Sequence, residues 1–336
     1  MAEPDSADTL ISVRDRASGH RRPLVLGAAA VAIALASAGG VSLLWPDPAP
    51  GSPYSPLPSY VAASALPGPL PSPNTTVTVP GTSLRLLEHP ADPVRLVAYR
   101  IGDETQVRGP SGFTGLGIPG AEVAMSPDGN WWAVVVGTEI RFTDPAMREA
   151  FRVRLSGHLE RPVWSPDGRR LLVTVRGTGF SSVDLATRSA SAVVRVSGDT
   201  GQYSWLPGGS GVAAGAAGGG IRFRDLRGRE LRVMNWVGRP YGGGAFSPSG
   251  DRFVTWCPSG GDVCVWDARD GTRLASLGDS TIYGWWDDTH LVMADPEGWE
   301  PGQVKVTDLQ RLLPDRLLTE FGARGAVPVF TYARQR

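Results

Sequence analysis

Met125-Ser126-Pro127-Asp128-Gly129, followed by the apolar run Trp131-Trp132-Ala133-Val134-Val135-Val136, decides how this chain is read, because the phrase comes back at a near-constant interval. It returns as Trp164-Ser165-Pro166-Asp167-Gly168 before 171–175, as Trp205-Leu206-Pro207-Gly208-Gly209 before 212–214, and as Phe246-Ser247-Pro248-Ser249-Gly250 before 253–256. A fifth, worn copy is Trp286-Asp287-Asp288-Thr289 before 291–293. The steps from Ser126 through Ser165, Leu206 and Ser247 to Asp287 are 39, 41, 41 and 40 residues. A second column keeps the same period: Asp144, Asp184, Asp225, Asp267 and Asp308 each close a short alternating strand such as Ile140-Arg141-Phe142-Thr143. Two columns of different residue type in one phase mark a repeat protein, and a period of about 40 residues constrains the fold before any local reading does.

The physics of one unit is simple. Ser-Pro-Asp-Gly writes a type I turn, with Pro fixing φ at the second position, Asp accepting backbone N–H bonds and Gly taking the left-handed conformation. The flanking runs of Val, Phe, Trp and Leu read as strands, and no segment beyond residue 80 keeps a helical period for three turns. A unit of about 40 residues has room for four short strands, the content of a propeller blade, which must stack on neighbours to bury both faces. Met125, Trp164, Trp205, Phe246 and Trp286 then read as bulky filler between blades, and the Asp column as turn caps.

Segments 83–88 and 94–100 resemble the first two strands of one more copy, with His89-Pro90-Ala91-Asp92 where the turn belongs, which makes six. After Asp308, segments 312–321 and 327–332 supply the last blade's outer strand and one more. Propellers close by lending a terminal strand to the opposite end's blade, and 75–79 is a candidate for the other party to that exchange. The expected fold is all-β, a six-bladed propeller, with seven blades as the alternative.

The phrase around Trp164, ending Leu171-Leu172-Val173, and the partner strand Val183-Asp184-Leu185 resemble the WD-like repeats of TolB-type propellers. Val265-Trp266-Asp267 is similar to the Trp-Asp dipeptide of WD repeats, but the Gly-His element of those repeats is not regular here, so the TolB-type resemblance is the closer. It covers 81–336 and implies a propeller with a habit of binding other proteins. It implies no reaction.

The N-terminal part is of another kind. Residues 1–23 are polar and of mixed charge, and 24–45 is a 22-residue run without a charge, long enough to cross a bilayer as a helix. Arg14, Arg16, Arg21 and Arg22 precede the run and the next basic residue is Arg85, so 1–23 is expected in the cytoplasm and everything after Trp45 outside. A rival reading makes Ala36-Ser37-Ala38 a signal cleavage site, or Arg21-Arg22 a twin-arginine signal, and gives a secreted form. Segment 46–80 is a Pro/Ser/Ala-rich linker with Pro46, Pro48, Pro50, Pro53, Pro56 and Pro58 in one burst. At ~3 Å per residue such a spacer reaches roughly 100 Å from the membrane.

Lys305 is the only lysine beside many arginines, which reads as the codon bias of a high-GC bacterium. A formal net charge of zero argues against nucleic acid as a partner, which would need a basic face. Cys257 and Cys264 are the only cysteines. With Gly260-Gly261 as a two-residue hairpin loop, 257 falls opposite 264 within disulfide reach, and an exported domain keeps such a bond; the alternative is two buried thiols.

The search for chemistry is mostly negative. His20, His89, His158 and His290 are the only histidines and none belongs to a metal-binding cluster. No Gly-x-Ser-x-Gly elbow occurs, and Gly-rich 215–220 lacks a Lys-Ser/Thr ending, so it reads as a strand connection. No catalytic residue, metal or cofactor is expected. Counting four residues back from each turn gives Arg85, Glu122, Arg161, Gln202, Gly243 and Tyr283 at the start of the innermost strands, where they would ring one mouth of the central channel as a ligand- or partner-binding rim; Arg239 and Tyr241 lie slightly upstream on an entry loop. The expected function is a membrane-tethered, extracytoplasmic, non-catalytic scaffold for a cell-envelope protein or peptide. The alternative is a propeller enzyme of the lactonase or cyclase kind with a channel-bound metal.

Overall fold

The computed structural model describes residues 70–79, 82–109, 111–294, 302–311, 314–322 and 328–334. The expected tail, membrane segment 24–45 and most of the linker lie outside the described residues, among which no helix is long and apolar enough to cross a membrane.

Short strands separated by Gly-rich turns fill the described residues. Two of them, β1 (Thr75–Thr78) and β2 (Arg85–Glu88), precede β3 (Val94–Ile101), β4 (Glu104–Gly109) and β5 (Gly112–Gly115) of the first blade. The second blade is β6 (Glu122–Met125), β7 (Trp132–Val136), β8 (Glu139–Thr143) and β9 (Glu149–Arg154). In the third, β10 (Val163–Trp164), β11 (Arg170–Val175) and β12 (Gly179–Asp184) are followed by β13 (Ser189–Ala190) and β14 (Val194–Arg195), which share the outer edge of β12. The fourth is β15 (Asp199–Trp205), β16 (Gly211–Ala216), β17 (Ile221–Asp225) and β18 (Glu230–Met234). The fifth has three strands, β19 (Arg252–Trp256), β20 (Val263–Asp267) and β21 (Arg273–Ser276); the sixth is β22 (Thr281–Trp285), β23 (His290–Ala294), β24 (Gly302–Asp308) and β25 (Arg316–Phe321), and β26 (Val329–Arg334) is the last strand. All pairings are antiparallel, and the whole is a six-bladed β-propeller.

The first strand of each complete blade touches its counterpart next door, in the succession β22, β26, β6, β10, β15, so these strands wall the central axis. Both ends of the propeller sequence enter the closure. Strand β26 is the inner strand of the first blade, in the order β26-β3-β4-β5, and β1 and β2 extend the outer edge of the sixth, in the order β22-β23-β24-β25-β2-β1. The segment 83–88 is therefore not an inner strand, and His89 to Asp92 joins two different sheets rather than two strands of one blade. The reason is energetic: leaving β25 and β3 as open edges would strand their backbone N–H and C=O groups.

The repeated phrase folds as its chemistry dictates. The Gly129 N–H bonds the Ser126 carbonyl at 2.9 Å with Gly129 at φ 71°, the Ser126 hydroxyl donates to Asp128 Oδ1 at 2.5 Å, and the Trp131 N–H returns to Ser126 Oγ at 3.0 Å. Ser165 repeats this, bonding Asp167 Oδ1 at 2.6 Å and accepting from Arg170 N–H at 2.9 Å. The Asp column caps turns: Asp144 accepts the N–H groups of Ala146 and Arg148, Asp225 those of Arg227 and Arg229, and Asp267 that of Arg269.

Between blades the tryptophans do more than fill space. Each indole N–H reaches the inner wall of the blade before it: Trp164 to Ala124 O at 3.1 Å, Trp205 to Val163 O at 2.9 Å, Trp285 to Ala245 O at 3.0 Å. It is Trp285, not Trp286, that occupies the column, because the turn of the sixth blade is one residue shorter. The Trp286 N–H closes on His290 O, where the Ser165 N–H closes on Arg170 O.

Cys257 and Cys264 are disulfide-bonded, with Cα atoms 5.0 Å apart. The hairpin that carries them differs from the expected one. Pro258 begins the turn a step early, the Gly260 N–H bonding Cys257 O at 2.9 Å, and the Cys257 N–H pairs with Asp262 O at 2.8 Å. Register then sets Thr255 opposite Cys264, so the bond runs diagonally across the strand pair.

Candidate functional site

The inner wall is a strand in five of the six blades and irregular in the fifth. Where a strand belongs, residues 240–246 make only isolated bridges, Pro240 with Thr255 and Phe246 with Phe253. Pro240 cannot donate to a ladder, and Gly242 takes a left-handed φ of 70°. At Gly243 a Cβ would stand 2.1 Å from Val163 Cγ2 and 3.0 Å from Gln202 Nε2, so only glycine lets the fifth blade approach the walls of the third and fourth this closely. The Ser204 hydroxyl fixes the crossing segment by donating to Gly242 O at 2.6 Å.

Arg161, just ahead of β10, lies at the centre of what converges here. Its Nη2 donates to Thr331 Oγ1 on β26, two blades away, and its own carbonyl accepts Gln202 Nε2 from β15 at 2.5 Å. Glu122, the first residue of β6, is held by Arg100 of β3 with Nη1 to Oε1 at 3.0 Å. From the sixth blade Tyr283 sets its ring 5.5 Å from that of Tyr332 and 5.8 Å from that of Phe330, both on β26. From the fifth, Tyr241 points its hydroxyl at Ser280 O, 3.4 Å away, and packs its ring 4.6 Å from Trp256.

The electrostatics follow from this crowding. Arg161 is half-buried and surrounded by protein, and that burial pulls its guanidinium below the ordinary value. Glu122 and Tyr283 oppose the shift and Arg100 adds to it. Burial pushes the Tyr283 phenol up to about 12, Tyr241 helping and Arg161 opposing, so Tyr283 is a neutral donor at physiological pH. Tyr332 is raised too, mainly by burial, although its bond to Thr319 at 2.6 Å works the other way.

Glu122, Arg161, Gln202, Tyr241, Gly243 and Tyr283 thus come together from five blades. Arg85 does not join them: it lies on β2 at the outer side of the sixth blade, half exposed, with Nη1 2.7 Å from Glu320 Oε2. The repeat phase put it inside because 83–88 imitates an inner strand, whereas that place belongs to β26. Arg239 is exposed, with its guanidinium 5.9 Å over the Trp256 ring, and has no hydrogen bond or ion pair with the converging residues. Thr331, Tyr332 and Arg100 were not anticipated; aligning 327–332 with the inner strands, in place of 83–88, would have found the first two. Among the described residues no three His, Cys, Asp or Glu side chains stand close enough to share a metal ion.

Neither a protein-family model nor a curated protein matches the sequence. Solved structures similar to this one include Kuenenia stuttgartiensis hydrazine synthase, at 16% identity and a TM-score of 0.43, covering 56% of this chain and 62% of that one. Another is Hsv2 of Kluyvelomyces marxianus, at 12% identity and a TM-score of 0.44, covering 68% and 69%. A KlHsv2 with loop 6CD replaced by a Gly-Ser linker gives 13% identity and a TM-score of 0.44, covering 66% and 79%. The protein spans under two thirds of the hydrazine synthase chain it matches. These similarities transfer no activity, partner or residue role.

Proposed function

We propose that this protein is a membrane-tethered propeller of the cell envelope that binds a protein or peptide at the Arg161 end of its channel and catalyses no reaction. The observation that carries this reading is the convergence of Glu122, Arg161, Gln202, Tyr241 and Tyr283 from separate blades, a polar and aromatic surface of the composition that binding sites favour. The sequence supports the tether: an uncharged run at 24–45 preceded by four arginines, then a Pro-rich spacer that carries the propeller clear of the bilayer. The phrase around Trp164 and the partner strand ending at Asp184 support a TolB-type, WD-like kinship, and the scarcity of lysine beside arginine supports a high-GC bacterial source.

The test is capture of a partner from envelope extract by the full-length protein in detergent, set against an Arg161→Ala/Tyr283→Ala variant whose thermal unfolding shows it still folded. A partner held by the wild type and lost by the variant is the expected result. Equal capture by both would move the site elsewhere.

A further inference from the structure

We propose that the Arg161 end of the channel recognises a free carboxylate at the end of an extended peptide, such as the C-terminus of a polypeptide. This rests on the reading of that end as the scaffold's binding site and names the group it takes.

Arg161 differs from the deeply set arginines that face a carboxylate or are satisfied by backbone carbonyls. Arg108 faces Glu88, Arg224 faces Asp199 and Arg316 faces Asp92, each as an ion pair. Arg334 gives its Nη2 to the carbonyls of Trp285 and Trp286. Arg161 enters no ion pair among the described residues, and its one side-chain acceptor there is the neutral hydroxyl of Thr331. The nearby carboxylate of Glu122 is already engaged by Arg100. Glu122 acts on Arg161 only at a distance, and a guanidinium set among protein groups without a hydrogen-bonded carboxylate is costly, so a ligand carboxylate that accepts from its fork supplies what the fold withholds.

The site is also preorganised. Gln202 fixes the Arg161 backbone and Thr331 fixes one prong of the fork, so little ordering remains to be done on binding. The Tyr283 hydroxyl, held protonated, has no hydrogen-bond partner among the described residues, and the N–H groups of Gly243 and Gly244 donate to no acceptor there. A carboxylate with a peptide group behind it uses all three kinds of donor. The two adjacent N–H groups of Gly243 and Gly244 suit a carboxylate that ends a peptide better than an isolated acid, which has no amide carbonyl to offer them.

The experiment is calorimetric titration of the full-length protein in detergent with Ala-Ala-Ala-Ala as the free acid, with its C-terminal amide, and with acetate. Saturable binding of the acid is expected, weaker by a factor of about 30 for the amide, since a hydrogen bond to a charged group contributes about 1.5–3 kcal/mol. Acetate should bind more weakly than the peptide acid. Arg161→Met should abolish uptake of the acid, Arg161→Lys should keep part of it, and Thr331→Val, which retains the charge, should weaken it only a few-fold. Equal binding of acid and amide, no binding of either by folded wild type, or unchanged binding by Arg161→Met would each overturn the proposal. Acetate binding as well as the peptide would overturn its extended-peptide part. A captured envelope partner that the tetrapeptide acid fails to displace would leave the scaffold reading standing and remove the carboxylate. Binding of the acid with no partner captured would do the reverse.

Discussion

Inside the sheet of the third blade the contacts that shape its turns are made by near neighbours: Ser165 with Asp167 and Arg170, Asp184 with Thr187, and β11 with β12 across a tight hairpin. At the seam between the sixth and first blades they are made by residues from opposite ends of the propeller sequence. Arg316 grips buried Asp92 with both prongs, at 2.6 and 2.8 Å, across 224 residues, and Arg85 meets Glu320 across 235. Strand β26 lies on β3, and Glu88 of β2 accepts Arg108 of β4. The contrast teaches that a closed ring of local units is held together by a few non-local ties, which carry the largest loop-closure cost. Thr331, the anchor of Arg161, sits on the strand that the seam installs, so the candidate site depends on the closure.

The largest expected effect breaks the seam. Arg316→Met leaves the Asp92 side chain, 1% exposed, without its ion-pair partner, which costs about 3–5 kcal/mol, and urea unfolding should show it as an early loss. Adding Asp92→Asn removes the stranded carboxyl and should recover part of that loss. If the single variant is as stable as the wild type, the seam is not what closes the ring. Within a blade the strongest local tie is the disulfide, which closes an eight-residue loop from Cys257 to Cys264, so Cys257→Ser/Cys264→Ser should cost about 2 kcal/mol. Ser165→Ala comes next. It removes one acceptor and one donor from a single turn, about 1 kcal/mol by denaturation, and a loss as large as that of Arg316→Met would erase the distinction between local and non-local ties.

The same division explains what could be read in advance. Turn and cap columns are local chemistry, so Ser126, Ser165 and the Asp column announced five copies from spacing alone; the sixth was counted from 83–88 and 94–100, and only the second of those segments belongs to the first blade. Seam partners carry no local signal. Arg85 and Glu122 look equivalent in the repeat, and only pairing of β2 with β25 and of β26 with β3 separates them. Pro258 moved the cysteine hairpin by one step because its fixed φ chose the start of the turn before the two glycines could. The convergence on Arg161 was half legible: the ring positions followed from the period, but the reach to Thr331 and the inward step at Gly243 depend on side-chain length and missing Cβ atoms in blades far apart in sequence.

The smallest expected effect sharpens the comparison at the one turn that departs from the pattern. In the sixth blade the shortened turn places Trp286 where Ser165 stands in the third, and the Trp286 carbonyl accepts from Arg334 of β26, so this turn serves the seam as well as its own blade. Asp287 replaces the missing serine as its organiser, accepting the N–H groups of Thr289 and His290 and bonding the His290 ring at 2.9 Å. Burial by itself would raise the Asp287 carboxyl, but His290 and Thr289 more than offset it and hold it down at about 2, below its ordinary 3.8. The folded state therefore binds this proton less readily than the unfolded state. The contribution is fully present above about pH 4 and is lost as the pH falls towards about 2. With 43% of the Asp287 side chain exposed, water screens the interaction and the effect is modest. Asp287→Asn should lower the urea midpoint at neutral pH, and its gap to the wild type should close as the pH falls from about 4 to about 2. A gap that stays constant over that range would mean that the turn is held by its backbone geometry, as the Leu206 copy is, and that the carboxylate adds nothing to the seam.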